Sequence, residues 1–174
     1  MPLTKLNSAS VIERLPVGSV IQTKSFPITS GVTKASSATN AYVDLGLSLA
    51  ITPQYASSKI LVMVNASLAV QIGTGHFRVV RDSTVLNVGD SASNRLQSSV
   101  SIRDNGTPYT LSIQELSIDF LDNPSTTSEI TYKLQGSLGA TYTGNIYMNR
   151  THSDTDADYG SRCASNITLM EIKQ

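Results

Sequence analysis

The chain has little of what usually marks an enzyme or a membrane protein. Cysteine occurs once in 174 residues, at Cys163. No intrachain disulfide is therefore possible, and stability must come from packing or from assembly. Such a cysteine reads as a small buried apolar residue. Charged residues make up only 15% and cancel, with 13 Lys+Arg against 13 Asp+Glu. No global field draws the protein to nucleic acid or to an anionic membrane. No segment approaches the roughly 20 apolar residues of a membrane span, and the opening MPLTKLNSASVIERLP has no apolar run long enough for a signal peptide. The expectation is a soluble product made in a cytoplasm, without membrane insertion. Catalytic motifs are missing too: there is no GxSxG, no Gly-rich phosphate loop before a helix and no CxxC. The two histidines, His76 and His152, lack HxxxH spacing, which argues against a zinc site or a His-based triad. No cofactor and no enzymatic activity are expected.

What is abundant is Ser, Thr, Val and Ile, arranged with a period of two. The length suits one domain of the usual 100 to 200 residues, divided into an arm over residues 1–16 and a β domain over 17–174. In the arm, Ser10-Val11-Ile12-Glu13 fits a capping box, and Pro16 stops any helix. Its apolar residues, Leu3, Leu6, Val11, Ile12 and Leu15, are too few to fold alone and require a partner surface. From Val17 onward the pattern predicts strands over Val17–Phe26 and Tyr42–Ile51, with a loop or irregular edge over Thr29–Asn40. Over Ile60–Ile72 the even positions should face the core. His76–Leu86 reads as a hairpin turning at Arg81-Asp82-Ser83-Thr84. Arg95–Ile102 is a weaker strand, and Asp104-Asn105-Gly106 a turn. Between Tyr109 and Leu121 the apolar parity switches, which predicts a β-bulge or bend near Gln114-Glu115. Strands over Ile130–Gly136, Asn145–Asn149 and Asn166–Ile172 follow. Many short strands in one domain predict an all-β antiparallel sandwich or jelly roll.

Few side chains suggest chemistry. Asp154, Asp156 and Asp158 alternate as at the start of a calcium loop. Tyr159, however, stands where that loop needs glycine, and Ser165 where it needs a bidentate glutamate. The trio reads more simply as a solvated acidic loop. Asp119, Asp122 and Glu129 are carboxylates that a glycan-degrading enzyme would have to bring into one cleft. The triplets at Asn65, Asn149 and Asn166 match a glycosylation signal, but without a secretory leader they read as chance.

Two strands are apolar on both faces. If Ile60, Val62 and Val64 point inward, Leu61 and Met63 project from the opposite face. Near the C-terminus Ile167 and Leu169 share one parity, Met170 and Ile172 the other. A neutral protein with such strands is expected to bury the outer face of a sheet against identical neighbours around a rotation axis. The alternative is that the arm or the Thr29–Asn40 loop folds back as a lid.

The ordered set GSVIQT, AYVDLGLSLAITPQYASSKILVMV, FRVVRDSTVL, FLDNP with STTSEITYKLQG, IYMNR and SNITLMEI resembles a domain of tailed bacteriophages, especially those of marine and cyanobacterial hosts. There it forms the globular head of fibre or virion surface proteins, and the likeness runs from Gly18 to Ile172. Such heads resemble the trimeric tumour-necrosis-factor-like jelly roll, whose terminal strand packs near the three-fold axis. The resemblance implies a homotrimer with Leu61, Met63, Leu169, Met170 and Ile172 at the interface. It also implies a non-enzymatic protein of the virion exterior. Only Met1–Pro16 precede the head, so a docking arm is expected instead of a long shaft, with Leu3, Leu6, Val11 and Ile12 engaging another virion protein of capsid or tail. Displayed loops, among them Gly73–Gly75, Asn87–Asn94 and Arg150–Tyr159, are the expected site of contact with host-surface glycan, with Arg150, His152 and Tyr159 as candidates. A carbohydrate- or receptor-binding module of the tail is the competing expectation.

Overall fold

Alternating side chains give each strand one apolar face, and two sheets bury those faces against each other. The computed structural model describes residues 8–36, 39–103 and 111–174. After a short helix α1 (Ser8–Glu13) come β1 (Val20–Ile28), β2 (Val32–Ser36), β3 (Val43–Ile51), β4 (Lys59–Val70), β5 (Thr74–Arg81), β6 (Thr84–Leu86), β7 (Val100–Arg103), β8 (Gln114–Asp122), β9 (Ile130–Ser137), β10 (Gly144–Met148) and β11 (Ser165–Ile172).

In the first sheet β1 and β2 run end to end as one edge lane, pairing with β11 and β10. Those two in turn share one side of β4, and β8 takes the other side. In the second sheet the lanes are β3, β9, β5 and a broken lane made of β6 and β7. Every pairing is antiparallel, and in the first sheet lanes from the two halves of the chain alternate. This is the lane order of a jelly roll, the double-sheet solution that all-β chains use to bury their faces.

The predicted inward positions of β4, namely Ile60, Val62, Val64, Ala66, Leu68 and Val70, are all in the core. They meet Leu45, Leu47 and Ile51 of β3, Phe77 and Val79 of β5, and Tyr132 and Leu134 of β9. Each large apolar side chain so buried contributes about 1.5–3 kcal/mol. The hairpin forms where expected, with Arg81 paired to Thr84 and Asp82 in the left-handed region at φ 52°. Edge lanes carry features that discourage further pairing. Pro27 lies in β1, and Lys24 points inward to donate from Nζ to the Ala50 carbonyl at 3.1 Å.

Several expectations need correction. The β8–β4 pairing runs from Gln114 to Asp122 without a register shift. There is no bulge at Gln114-Glu115, because the parity switch falls where the strand begins, with Leu111 and Ile113 preceding it. Instead a shift occurs in β3 between Asp44 and Ser48, around Gly46 at φ +93°. Ser10 lies inside α1, not at its N-cap. Residues 32–36 of the segment expected as a loop or irregular edge form β2, an edge strand, and not a lid. Ile72 lies beyond β4 and is exposed. Cys163 is partly exposed, since it belongs to a loop and not to a core strand. Leu3, Leu6 and the turn at Asp104-Asn105-Gly106 lie outside the described residues.

Candidate functional site

Carboxylates were the first candidates for chemistry, and the fold separates them. Asp122 closes β8 on its inner face, where it pairs with Arg81 and accepts a hydrogen bond from the Tyr132 hydroxyl at 2.6 Å. Burial, followed by the Asp122 hydrogen bond, holds the Tyr132 phenol far above the usual tyrosine range. This triad ties β5 and β9 of one sheet to β8 of the other. Asp119 is exposed on the opposite face of β8, and Glu129 lies exposed before β9. Glu171 is 0% exposed yet charged in type. It accepts from the backbone N–H groups of Gln54 at 2.8 Å and Tyr55 at 3.3 Å and from the Gln22 amide, so it fastens the β3–β4 loop to β11. Parity places it inward, but nothing in the sequence announces its partners.

The acidic loop is also committed to structure. Asp154 is held by Arg150 at 2.9 Å and Arg162 at 2.5 Å. Two guanidinium groups on one carboxylate oppose a cation there, and among the described residues no three His, Cys, Asp or Glu side chains group to hold a metal. The calcium candidate at Asp154, Asp156 and Asp158 is therefore corrected: Asp154 is ion-paired, and Asp156 and Asp158 are exposed in the same loop. This loop folds back on the first sheet. The Arg150 guanidinium lies 4.7 Å from the centroid of the Tyr147 ring, and the His152 ring stacks on the same tyrosine at 5.2 Å. Of the three expected host-contact residues, Arg150 and His152 cover Tyr147, while Tyr159 is 58% exposed.

The expected interface residues divide by face. Leu169 pairs with Val62 and is fully buried in the chain's own core, so its placement at a subunit interface is corrected. Leu61, Met63, Met170 and Ile172 lie on the outer face and are partly exposed. Register lines them up: Met170, Leu61 and Leu121 fall in one row, with Ile172 and Val20 in the row beside it. Leu121 is 55% exposed and Val20 49%, which makes a band of apolar surface. Near this band lies the arm. Lys173 donates from Nζ to the carbonyls of Ile12, Glu13 and Leu15 at 3.1, 2.6 and 2.9 Å, satisfying the C-terminal end of α1. Val11 and Ile12 of the expected anchor are exposed and half-buried.

At the other end of β4 the surface is polar and concave. A cleft of about 950 Å³ opens over the start of β5, between the 93–98 loop and the 138–142 loop. His76 projects outward from β5 and pairs in register with Ser101 of β7 and Ser137 of β9. Burial lowers its pKa below the ordinary histidine value. The walls are pinned. The Tyr42 hydroxyl donates to the Gln97 carbonyl at 2.7 Å, the Gln97 amide to the Gly89 carbonyl at 2.8 Å, and the Leu138 N–H to Ser36 Oγ at 3.0 Å. Arg78 lies over the Tyr42 ring, 3.8 Å from its centroid. Gly73, at φ +71°, lets the Tyr142 ring lie on its backbone, where a Cβ would collide. Thr74, Ser93 and Asn94 of this cleft belong to loops expected to be displayed, while Asn40, Arg95, Ser101 and Tyr142 were not anticipated. Only the lane order brings them together.

No family model matches the chain, and no curated protein matches it. Among solved structures it is similar to a mutant VP2 protein of infectious bursal disease virus in derived T=1 particles, at 12% identity and a TM-score of 0.40 over 89% of this chain. It is likewise similar to a structure of the Gt strain of that virus, at 12% identity and a TM-score of 0.39 over 99% of this chain. The chain spans 37% and 44% of those proteins' lengths.

Proposed function

We propose that this is a non-enzymatic structural protein of a virion surface, a bacteriophage fibre-head-like jelly roll that assembles as a homotrimer and is held to the particle by its N-terminal arm. The observation that carries the reading is the apolar band of Val20, Leu61, Met63, Leu121, Met170 and Ile172 on a sheet face next to the arm. A patch of this kind on a chain with no net charge is a surface for protein association. The number three and the phage setting come from the sequence resemblance. Separation of the carboxylates supports a role without catalysis, since Asp119 and Asp122 lie on opposite faces of one strand.

Polarity along β4 supports the anchored-head arrangement. The arm lies by its Lys59 end and the polar cleft near its Val70 end, and the strand itself spans roughly 36 Å. Deleting residues 1–16 is expected to abolish incorporation into particles while leaving the native mass of the isolated protein that of a trimer. Retained incorporation overturns the anchor, and a full-length chain that is monomeric at low micromolar concentration overturns the assembly.

A further inference from the structure

We infer that the cleft over His76 binds an acidic saccharide, a sugar unit carrying a carboxylate. This deepens the host-contact part of the proposed function and rests on that reading for its biological setting. The chemistry is the cleft's own. Among the described residues its lining holds no carboxylate, and its basic side chains are Arg95 and His76. The Arg95 guanidinium offers a planar fork that matches a carboxylate in two hydrogen bonds. Around it, Asn40, Asn94, Ser101 and Thr141 supply amide and hydroxyl groups able to donate and accept, as a polyhydroxylated ring requires. Tyr142, with Leu96, adds an apolar surface for the C–H face of such a ring.

Size and order fit the assignment. A volume of about 950 Å³ is at the upper end of the roughly 300–1,000 Å³ usual for small-molecule clefts and accepts a short oligosaccharide. The walls are fixed by the Tyr42–Gln97, Gln97–Gly89 and Leu138–Ser36 hydrogen bonds, so little ordering cost remains on binding. A single arginine with one half-buried histidine is too little charge to track a nucleic-acid backbone, and one tyrosine offers no run of stacking platforms.

The test is titration of the full ¹⁵N-labelled chain with trigalacturonate, followed by two-dimensional amide NMR, with neutral galactotriose and inorganic phosphate as comparators. Expected are saturable shifts at His76, Asn94, Arg95, Ser101 and Tyr142, at least tenfold weaker binding of galactotriose, and at least tenfold loss of trigalacturonate affinity in Arg95→Ala. Arg95 is exposed, so this variant is expected to fold. Thr141→Val serves as a second variant that keeps the cation and removes a hydroxyl, with a smaller loss. Absence of shifts, shifts elsewhere, equal affinity for phosphate, or an unchanged Arg95→Ala overturns the inference. Native mass in the same buffer separates the outcomes. A trimer that ignores trigalacturonate defeats the cleft and spares the assembly, and a monomer that binds it does the reverse.

Discussion

The two halves of the first sheet's outer face are finished differently, although β4 runs through both. Around Tyr147 the chain covers itself, with Arg150 and His152 laid on the ring and Asp154 fixing the loop that carries them. Around Leu61, Met63 and Met170 no comparable loop returns among the described residues, and apolar side chains remain partly in water. The covered half owes its cover to the long connection between β10 and β11, residues 149–164, which leaves the lane and comes back to it. Where that connection reaches, the face is complete within one chain. Where it does not, the apolar side chains stay partly exposed.

The largest expected effect comes from making the bare half polar. Leu61→Lys/Met63→Lys is expected to convert a trimer to a folded monomer, read as a threefold fall in native mass with an unchanged β-sheet circular dichroism spectrum. A substituted protein that stays trimeric breaks the comparison. Next in size is the core beneath the bare half. Asp122→Ala leaves Arg81 and the Tyr132 hydroxyl without their shared acceptor, and should cost about 3–5 kcal/mol in urea unfolding of the monomeric variant. A change below about 1 kcal/mol would show that the triad is relaxed by water.

A smaller effect is expected with pH. Because the Tyr132 pKa is raised in the folded state, its contribution is fully present below the unfolded value near 10 and is lost as pH rises toward the folded value. Wild type should therefore lose stability above about pH 10 more steeply than Tyr132→Phe. Parallel profiles for the two proteins would remove tyrosine ionisation as the cause. Smallest is the effect on the covered half. Arg150→Ala removes one cation from the Tyr147 ring and one of the two guanidinium groups on Asp154, a loss of about 1 kcal/mol with no change of native mass. A change of mass on this substitution would mean that the covered half also serves assembly.

Much of the fold was legible along the chain, and the misses have identifiable causes. Even positions of β4 and the inward set Ile130, Tyr132 and Leu134 were readable because a strand's two faces alternate whatever it pairs with. The expected bulge at Gln114-Glu115 failed because a parity switch looks the same whether a strand bends or simply begins there. Leu169 was drawn to the interface by the two-faced pattern of β11, although it faces the core with Ile167. Of the candidate sites, the acidic loop was visible as a motif, but its two arginine partners were not. Arg150 is four residues from Asp154, whereas Arg162 comes back across the loop. The cleft was the least legible, since residues near 40, 75, 95, 101 and 140 become neighbours only when β3, β9, β5 and β7 pair in one sheet.

By itself the sequence determined the class of fold, the hairpin at Asp82-Ser83, the core parity of β4 and the presence of strands with two apolar faces. These follow from local geometry, in which side chains alternate with a period of two and turn residues act within a few positions. Only the tertiary structure decided which apolar face was covered and which was left bare. It also decided that Asp122 and Glu171 would be buried with their donors, and that a polar cleft would open at the end of β4 away from the arm. Those outcomes depend on lane order and on where long connections return, and loop-closure entropy constrains such returns too weakly to be read from composition or spacing.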